Sequence, residues 1–128
     1  MTSKQLVELA KKARKNAYAP YSGFEVGAAV LCADGKVFCG CNVENASFSP
    51  TCCAERVAIF KAVSEGQRDF TAIAIVGGKS GDKTADKCFP CGVCRQVMSE
   101  FCSPKTKIIY SDESENTLGE LLPSGFSL

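Results

Sequence analysis

Leu6, Leu9, Ala10, Ala13 and Ala17 recur at helical spacing with lysines and arginines between them, which predicts an amphipathic helix near the start of the chain. Ser3 is placed to cap it, and Pro20 lies just beyond its end. Residues 24–32 (FEVGAAVLC) form a mostly apolar run that reads as a buried strand. Asp34-Gly35 is a hairpin turn signal, after which residues 36–42 return as a second strand. Residues 43–52 (VENASFSPTC) lack either periodicity and read as an irregular polar loop.

The second half alternates between the two periods. Residues 54–65 place Val57, Ala58, Ile59, Ala62 and Val63 on one helical face, and Gly66 stops the helix. Residues 71–76 (TAIAIV) predict a short strand covered on both faces and closed by Gly77-Gly78. Residues 79–87 read as a polar loop without an apolar anchor. Residues 92–101 predict a helix with Val93, Val97, Met98 and Phe101 facing inward; 107–110 predict a strand and 117–122 a last short helix. The alternation after the hairpin predicts parallel neighbours with helices on both sheet faces. The expected fold class is α/β: a single-domain, three-layer α/β/α sandwich over 1–128, around a mixed, roughly five-stranded sheet.

Composition then narrows the function. A chain of 128 residues with 45% hydrophobic content suits one core, and no repeat or linker divides it. The formal net charge of +1 argues against a polynucleotide partner, which usually meets a clearly basic face. No apolar run approaches the ~20 residues of a membrane-spanning helix. The opening MTSKQLVELAKKARK is charged throughout and does not read as a secretory signal. The expectation is a soluble, cytoplasmic protein with no membrane partner.

There is no histidine, and there are nine cysteines. An odd cysteine count without an export signal favours buried thiols, metal ligands or catalytic groups over disulfides. Thiolate ligands without imidazole point to zinc first and to iron–sulfur behind it.

Residues 88–94 read CFPCGVC, two overlapping CxxC pairs. Such a pair by itself is a redox dithiol, half of a zinc site, or a coincidence in a cysteine-rich chain. Cys91 follows Pro90 at the start of a predicted helix, and Cys53 stands at the start of an earlier one. The positive ends of two helices would favour their thiolates. Cys53, Cys91 and Cys94 would then offer three sulfurs to one zinc and leave the fourth tetrahedral position open, as in catalytic sites. A structural site would instead recruit Cys52 or Cys88. Glu55, two residues after Cys53, is either a partner for the helix dipole or a proton carrier beside an open metal site.

Cys53-Ala54-Glu55 followed by Pro90-Cys91-Gly92-Val93-Cys94 resembles the signature of zinc-dependent nucleoside and nucleobase deaminases. The segments 42–47 (NVENAS), 53–56 (CAER), 91–96 (CGVCRQ), 21–24 (YSGF) and 121–126 (LLPSGF) extend the likeness to the cytidine deaminases of the small, homotetrameric type. The resemblance implies hydrolytic deamination of cytidine and deoxycytidine to uridine and deoxyuridine plus ammonia, within pyrimidine salvage. The nucleophile would be zinc-bound hydroxide. It implies one zinc per chain on Cys53, Cys91 and Cys94, with Glu55 as proton shuttle. Arg56 would offset the charge of three thiolates by donating to sulfur, and Arg95 is read either as its assistant or as a surface arginine. Asn42 and Glu44 would hold the ribose hydroxyls, Phe24 would lie along the pyrimidine ring, and Ala54 would line the substrate. Ala46, Phe48 and Phe126 would serve a neighbouring subunit's pocket in the homotetramer. Phe48 stands where many relatives carry tyrosine, Ser49-Pro50 replaces a glycine-containing turn, and loop 79–87 is longer than usual.

Two rival functions remain at this level: a deaminase for another aminopyrimidine nucleoside such as an antibiotic, and a non-catalytic structural zinc module. A thiol–disulfide redox protein is a third reading of the CxxC pairs.

Overall fold

In a computed structural model describing residues 1–83 and 85–128, the first helix, α1 (Ser3–Arg14), is capped one residue earlier than expected. Thr2, rather than Ser3, accepts from Gln5 N at 3.1 Å, and the Gln5 side chain accepts in return from Thr2 N at 2.9 Å. This reciprocal pair satisfies two backbone donors that a helix start leaves free. The buried face is Leu6, Val7, Ala10 and Arg14, so it is turned toward Val7 and away from Ala13.

Strands β1 (Phe24–Cys32) and β2 (Val37–Cys41) form the expected hairpin. Helix α2 (Ala54–Ser64) carries the chain to β3 (Phe70–Lys79), which runs straight through Gly77-Gly78 instead of closing there. Gly77 and Gly78 pair with Val26 and Glu25, because β1 continues opposite them and offers partners. The expected loop 79–87 includes a short strand, β4 (Asp86–Lys87), paired with Val76 and Gly77. Position 84 within that range lies outside the described residues.

Helix α3 (Gly92–Phe101) leads into β5 (Cys102–Ile109), which begins earlier than the predicted 107–110. Strand β6 (Glu115–Thr117), which the sequence pattern did not predict, precedes α4 (Leu118–Leu121), and Thr117 caps α4. Val93 is exposed rather than inward, and Cys94 takes the buried position with Met98.

Among the described residues the sheet is six-stranded, in the order β2-β1-β3-β5-β6 with β4 alongside β3. Among the strands of the described residues only the β3–β5 pair is parallel, as the alternation after the hairpin predicted, and β1–β3 is antiparallel. The α2 crossover returns the chain in the direction of β2 but places β3 beyond β1, and β1 opposes both.

Alternate residues divide the core into two layers, as the pleat requires. Ala28, Val30, Ile73 and Ile75 pack with Ala58 and Ile59 of α2, Met98 of α3 and Leu118 of α4. Ala29, Ala72, Ala74 and Val76 pack with Leu6, Val7 and Ala10 of α1. The result is a three-layer α/β/α sandwich.

Two glycines permit the close approach of helix to sheet. A Cβ on Gly27 would lie 2.0 Å from the Ala10 carbonyl oxygen of α1, and one on Gly40 would lie 2.5 Å from the Ala58 nitrogen of α2. Among the described residues no helix is long and apolar enough to cross a membrane.

Candidate active site

Cys53 and Cys91 are the N-cap residues of α2 and α3, both with extended backbone (φ −71°, ψ 154° and φ −70°, ψ 168°). An N-cap directs its side chain toward the free N–H groups of the helix it opens, and Cys91 Sγ accepts from Cys94 N at 3.5 Å. The buried first turn of α2 and the Cys94 position of α3 bring the two helix starts together.

The Sγ atoms of Cys53, Cys91 and Cys94 all lie within 4.8 Å of one another, and Cys53 and Cys91 are 3.8 Å apart. A tetrahedral zinc with bonds of about 2.3 Å to sulfur spaces its ligands about 3.8 Å apart. The donor set therefore fits zinc in both chemistry and spacing. Neither Cys52 nor Cys88 belongs to the cluster among the described residues, and all nine cysteines are free thiols.

The electrostatics divide the sulfurs. Cys53 is held well below the usual thiol range, first because Cys94 donates to it, then because Arg56 and Cys91 do, against the cost of burial. Cys94 is pushed the other way, chiefly because it holds the proton shared with Cys53 and is itself buried. Arg56 Nη2 donates to Cys53 Sγ at 3.4 Å, and that bond is the main reason its guanidinium is held more firmly charged. Its Nε is buried and unpartnered among the described residues, a spare donor beside a cluster built to collect negative charge. Cys88 is pushed up to about 11, mainly by burial and further by the charges of Glu55 and Cys53.

Glu55 occupies the second position of α2 and is 4% exposed. Burial pushes its carboxyl up to about 7, with the Cys53 thiolate adding to the effect and the Cys94 hydrogen bond and Arg56 opposing it. A carboxyl balanced near neutrality can both accept and return a proton.

The expected substrate residues have prior engagements. Asn42 Oδ1 accepts from Val26 N and its Nδ2 donates to the Phe24 carbonyl, both at 2.8 Å, so the amide extends the β1 ladder beyond β2. Each end retains one further hydrogen-bonding capacity. Glu44 Oε1 accepts from Tyr21 N at 2.9 Å and Ser22 N at 3.0 Å, and Oε2 accepts from the Ser22 hydroxyl. These bonds hold the Glu44 carboxyl below its ordinary range.

Phe24 is 37% exposed, with its ring over Gly77, and Ala54 is wholly buried. Ala46, Phe48 and Phe126 are exposed, and the Phe126 carbonyl accepts from Gln96 Nε2 at 3.4 Å.

Two contributions escaped the sequence. Ser22 orients Glu44, with no signal beyond its place in a turn-forming YSGF segment. Arg95 makes its hydrogen bonds to the carbonyls of Pro90 and Leu121. A carbonyl stranded just before a helix, one turn from an arginine, was the available clue. Cys52 contributes through its backbone, which exchanges two hydrogen bonds with Val43 and ties loop 43–52 to the start of α2.

Residues 1–111 match the family model described as the cytidine and deoxycytidylate deaminase zinc-binding region. The chain is 47% identical to a cytidine deaminase of Sporosarcina psychrophila, covering 99% of this chain and 93% of that protein. It is 49% identical to one of Halalkalibacterium halodurans, covering 99% and 96%. The crystal structure of cytidine deaminase from Burkholderia pseudomallei superposes with a TM-score of 0.89 at 48% identity, covering 98% of this chain and 100% of that one.

Proposed function

Because this chain belongs to the cytidine and deoxycytidylate deaminase family, we infer that it is a zinc-dependent hydrolase converting cytidine and deoxycytidine to their uracil counterparts and ammonia. Residues 1–128 act as one domain. The observation that carries the reading is a nearly buried carboxyl, Glu55, two residues after one sulfur of a three-sulfur cluster, a donor set one ligand short of tetrahedral zinc.

Cys53, Cys91 and Cys94 are the residues that would hold the metal. Zinc there supplies Lewis acidity, making water a competent nucleophile near neutral pH. Glu55 takes a proton from the attacking water and delivers it to the ring nitrogen adjacent to the amine-bearing carbon. It then carries the second proton to the departing amine, so water enters and ammonia leaves. Its elevated pKa suits both directions of transfer. Three thiolates on a divalent ion leave a net charge of about −1. Arg56, donating to Cys53, and the two helix N-termini offset that charge.

Asn42 and Glu44 bind the ribose hydroxyls with their remaining capacity, Phe24 lies along the pyrimidine, and Ala54 lines the base. The active form is a cytoplasmic homotetramer in which Ala46, Phe48 and Phe126 reach a neighbour's pocket. The exposure of Phe48 (84%) and Phe126 (66%) supports the association, and nine free thiols suit a reducing compartment.

The decisive experiment pairs metal analysis with a spectrophotometric cytidine assay on the wild type and Glu55→Gln. About one zinc per chain in both proteins is expected, with activity lost only in the variant. A wild type that holds zinc but leaves cytidine untouched would sink the proposal.

A further inference from the structure

Pro90 is fully buried and immediately precedes the N-cap Cys91. Its carbonyl lies outside α3, where no helical N–H can reach it, yet a buried carbonyl needs a donor. Arg95 supplies one: its Nε donates to the Pro90 oxygen at 2.8 Å, while its backbone N–H closes the first helical turn on the Cys91 oxygen at 3.0 Å. The same guanidinium donates through Nη1 to the carbonyl of Leu121, at 2.9 Å. Leu121 is the last residue of α4, where helix carbonyls are left without partners. No ion pair of Arg95 is formed among the described residues. Its two carbonyl contacts belong to segments 31 residues apart, as the 5- and 26-residue separations along the chain from Arg95 show.

We propose that Arg95 is a positioning residue which, by joining the Pro90 and Leu121 carbonyls, fixes the turn bearing Cys91 to the C-terminal helix and so holds the sulfur cluster at its metal-binding spacing. This rests on the reading that the three cysteines hold zinc. Four residues of α4 make barely one turn, too short to be stable unaided. The guanidinium therefore braces α4 and the Cys91 turn against each other. Its rigid fork matters, because a lysine ammonium reaches as a single point charge and cannot reproduce the paired geometry. Among the described residues the Arg95 side chain hydrogen-bonds two carbonyls and no sulfur; it acts through Pro90 and the N-cap.

The test uses the zinc-loaded full chain and measures zinc transfer to a chromogenic chelator, with the absorption spectrum of the cobalt(II)-substituted protein alongside. Arg95→Ala should release zinc faster, on the order of 10- to 100-fold as for other residues supporting metal ligands, and should alter the cobalt–thiolate absorption. Arg95→Lys should fall between that variant and the wild type.

A lowered melting temperature in Arg95→Ala with unchanged release and cobalt spectrum would show a merely structural arginine and overturn the proposal. If Arg95→Ala does not fold, Arg95→Lys decides, and a wild-type release rate there refutes the inference. A wild type without zinc refutes the metal reading instead, so the two failures are distinguishable.

Discussion

Gly40→Ala tests whether the sheet sets the position of the active-site helix. Gly40 lies in the edge strand β2, paired with Ala28 of the neighbouring strand β1. The added Cβ would stand 2.5 Å from Ala58 N, 2.8 Å from Ala54 O and 3.0 Å from Val57 Cβ. Against an ordinary contact of at least 3.4 Å, the closest approach is short by roughly 1 Å, as expected for an overpacked interface. The two nearest atoms are backbone, so no rotamer change relieves the overlap. The strand is pinned by its neighbour, and the first turns of α2 must move away. That motion carries Cys53 and Glu55 away from Cys91 and Cys94. Overpacking of this kind costs about 1–3 kcal/mol, and a displacement of about 1 Å at reacting groups costs on the order of 100-fold in rate. We expect thermal unfolding of the zinc-loaded variant to fall by several degrees, with kcat for cytidine reduced about 100-fold and zinc held more weakly. Gly92→Ala is the comparison: it lies between two sulfur ligands in sequence, but its Cβ would meet nothing within 4 Å. Its melting temperature and zinc content should match or exceed those of the wild type, through a gain of about 0.4–1 kcal/mol. Wild-type melting and turnover in Gly40→Ala, or a greater loss of stability in Gly92→Ala, would refute the reasoning.

Other outcomes follow from single groups. The Glu55 carboxyl, raised from 4.5 to about 7, binds more protons in the folded than in the unfolded state between those values. In the chelated protein its contribution is therefore fully present below about pH 4.5 and is lost as pH rises through about 7, by about 3 kcal/mol in all. Glu55→Gln should remove that component, seen as the difference between the two proteins' denaturant midpoints across pH; parallel profiles would contradict it. Cys52→Ser and Cys88→Ser should keep the wild-type zinc content, since both sulfurs lie outside the cluster, and loss of metal from either would overturn the ligand assignment. Tyr110→Phe removes the hydroxyl that donates to Asn116 Oδ1 at 2.7 Å while leaving the ring under Lys87. It should lower stability by about 1 kcal/mol in a denaturant titration without changing zinc content.

Legibility followed the range of the interactions involved. Residues 24–32 read correctly to the residue because a mostly apolar run bounded by turn signals is a local pattern. Helix α3 likewise spans the expected 92–101. Strand β4 was invisible: two polar residues carry no period, and only Val76 and Gly77 opposite them make a ladder. The glycines 77 and 78 suggested an end to β3, whereas a partner strand continued beside them. Val93 fitted the apolar face by type, yet it is exposed because the helix turns Cys94 inward.

The same division runs through the site. Sequence alone determined the donor chemistry: sulfur without imidazole, cysteines at two helix starts, and a glutamate two residues past one of them. Each of these is a matter of residue type and local spacing along a helix. Tertiary structure decided which sulfurs meet, because the 3.8 Å between Cys53 and Cys91 spans 38 positions of chain. It also decided that Glu55 is buried deeply enough to titrate near neutrality, and that Arg56 points at Cys53 while Arg95 points at two carbonyls. Hydrogen-bond direction and desolvation depend on what packs against a side chain, and distant segments supply that packing only when the chain folds.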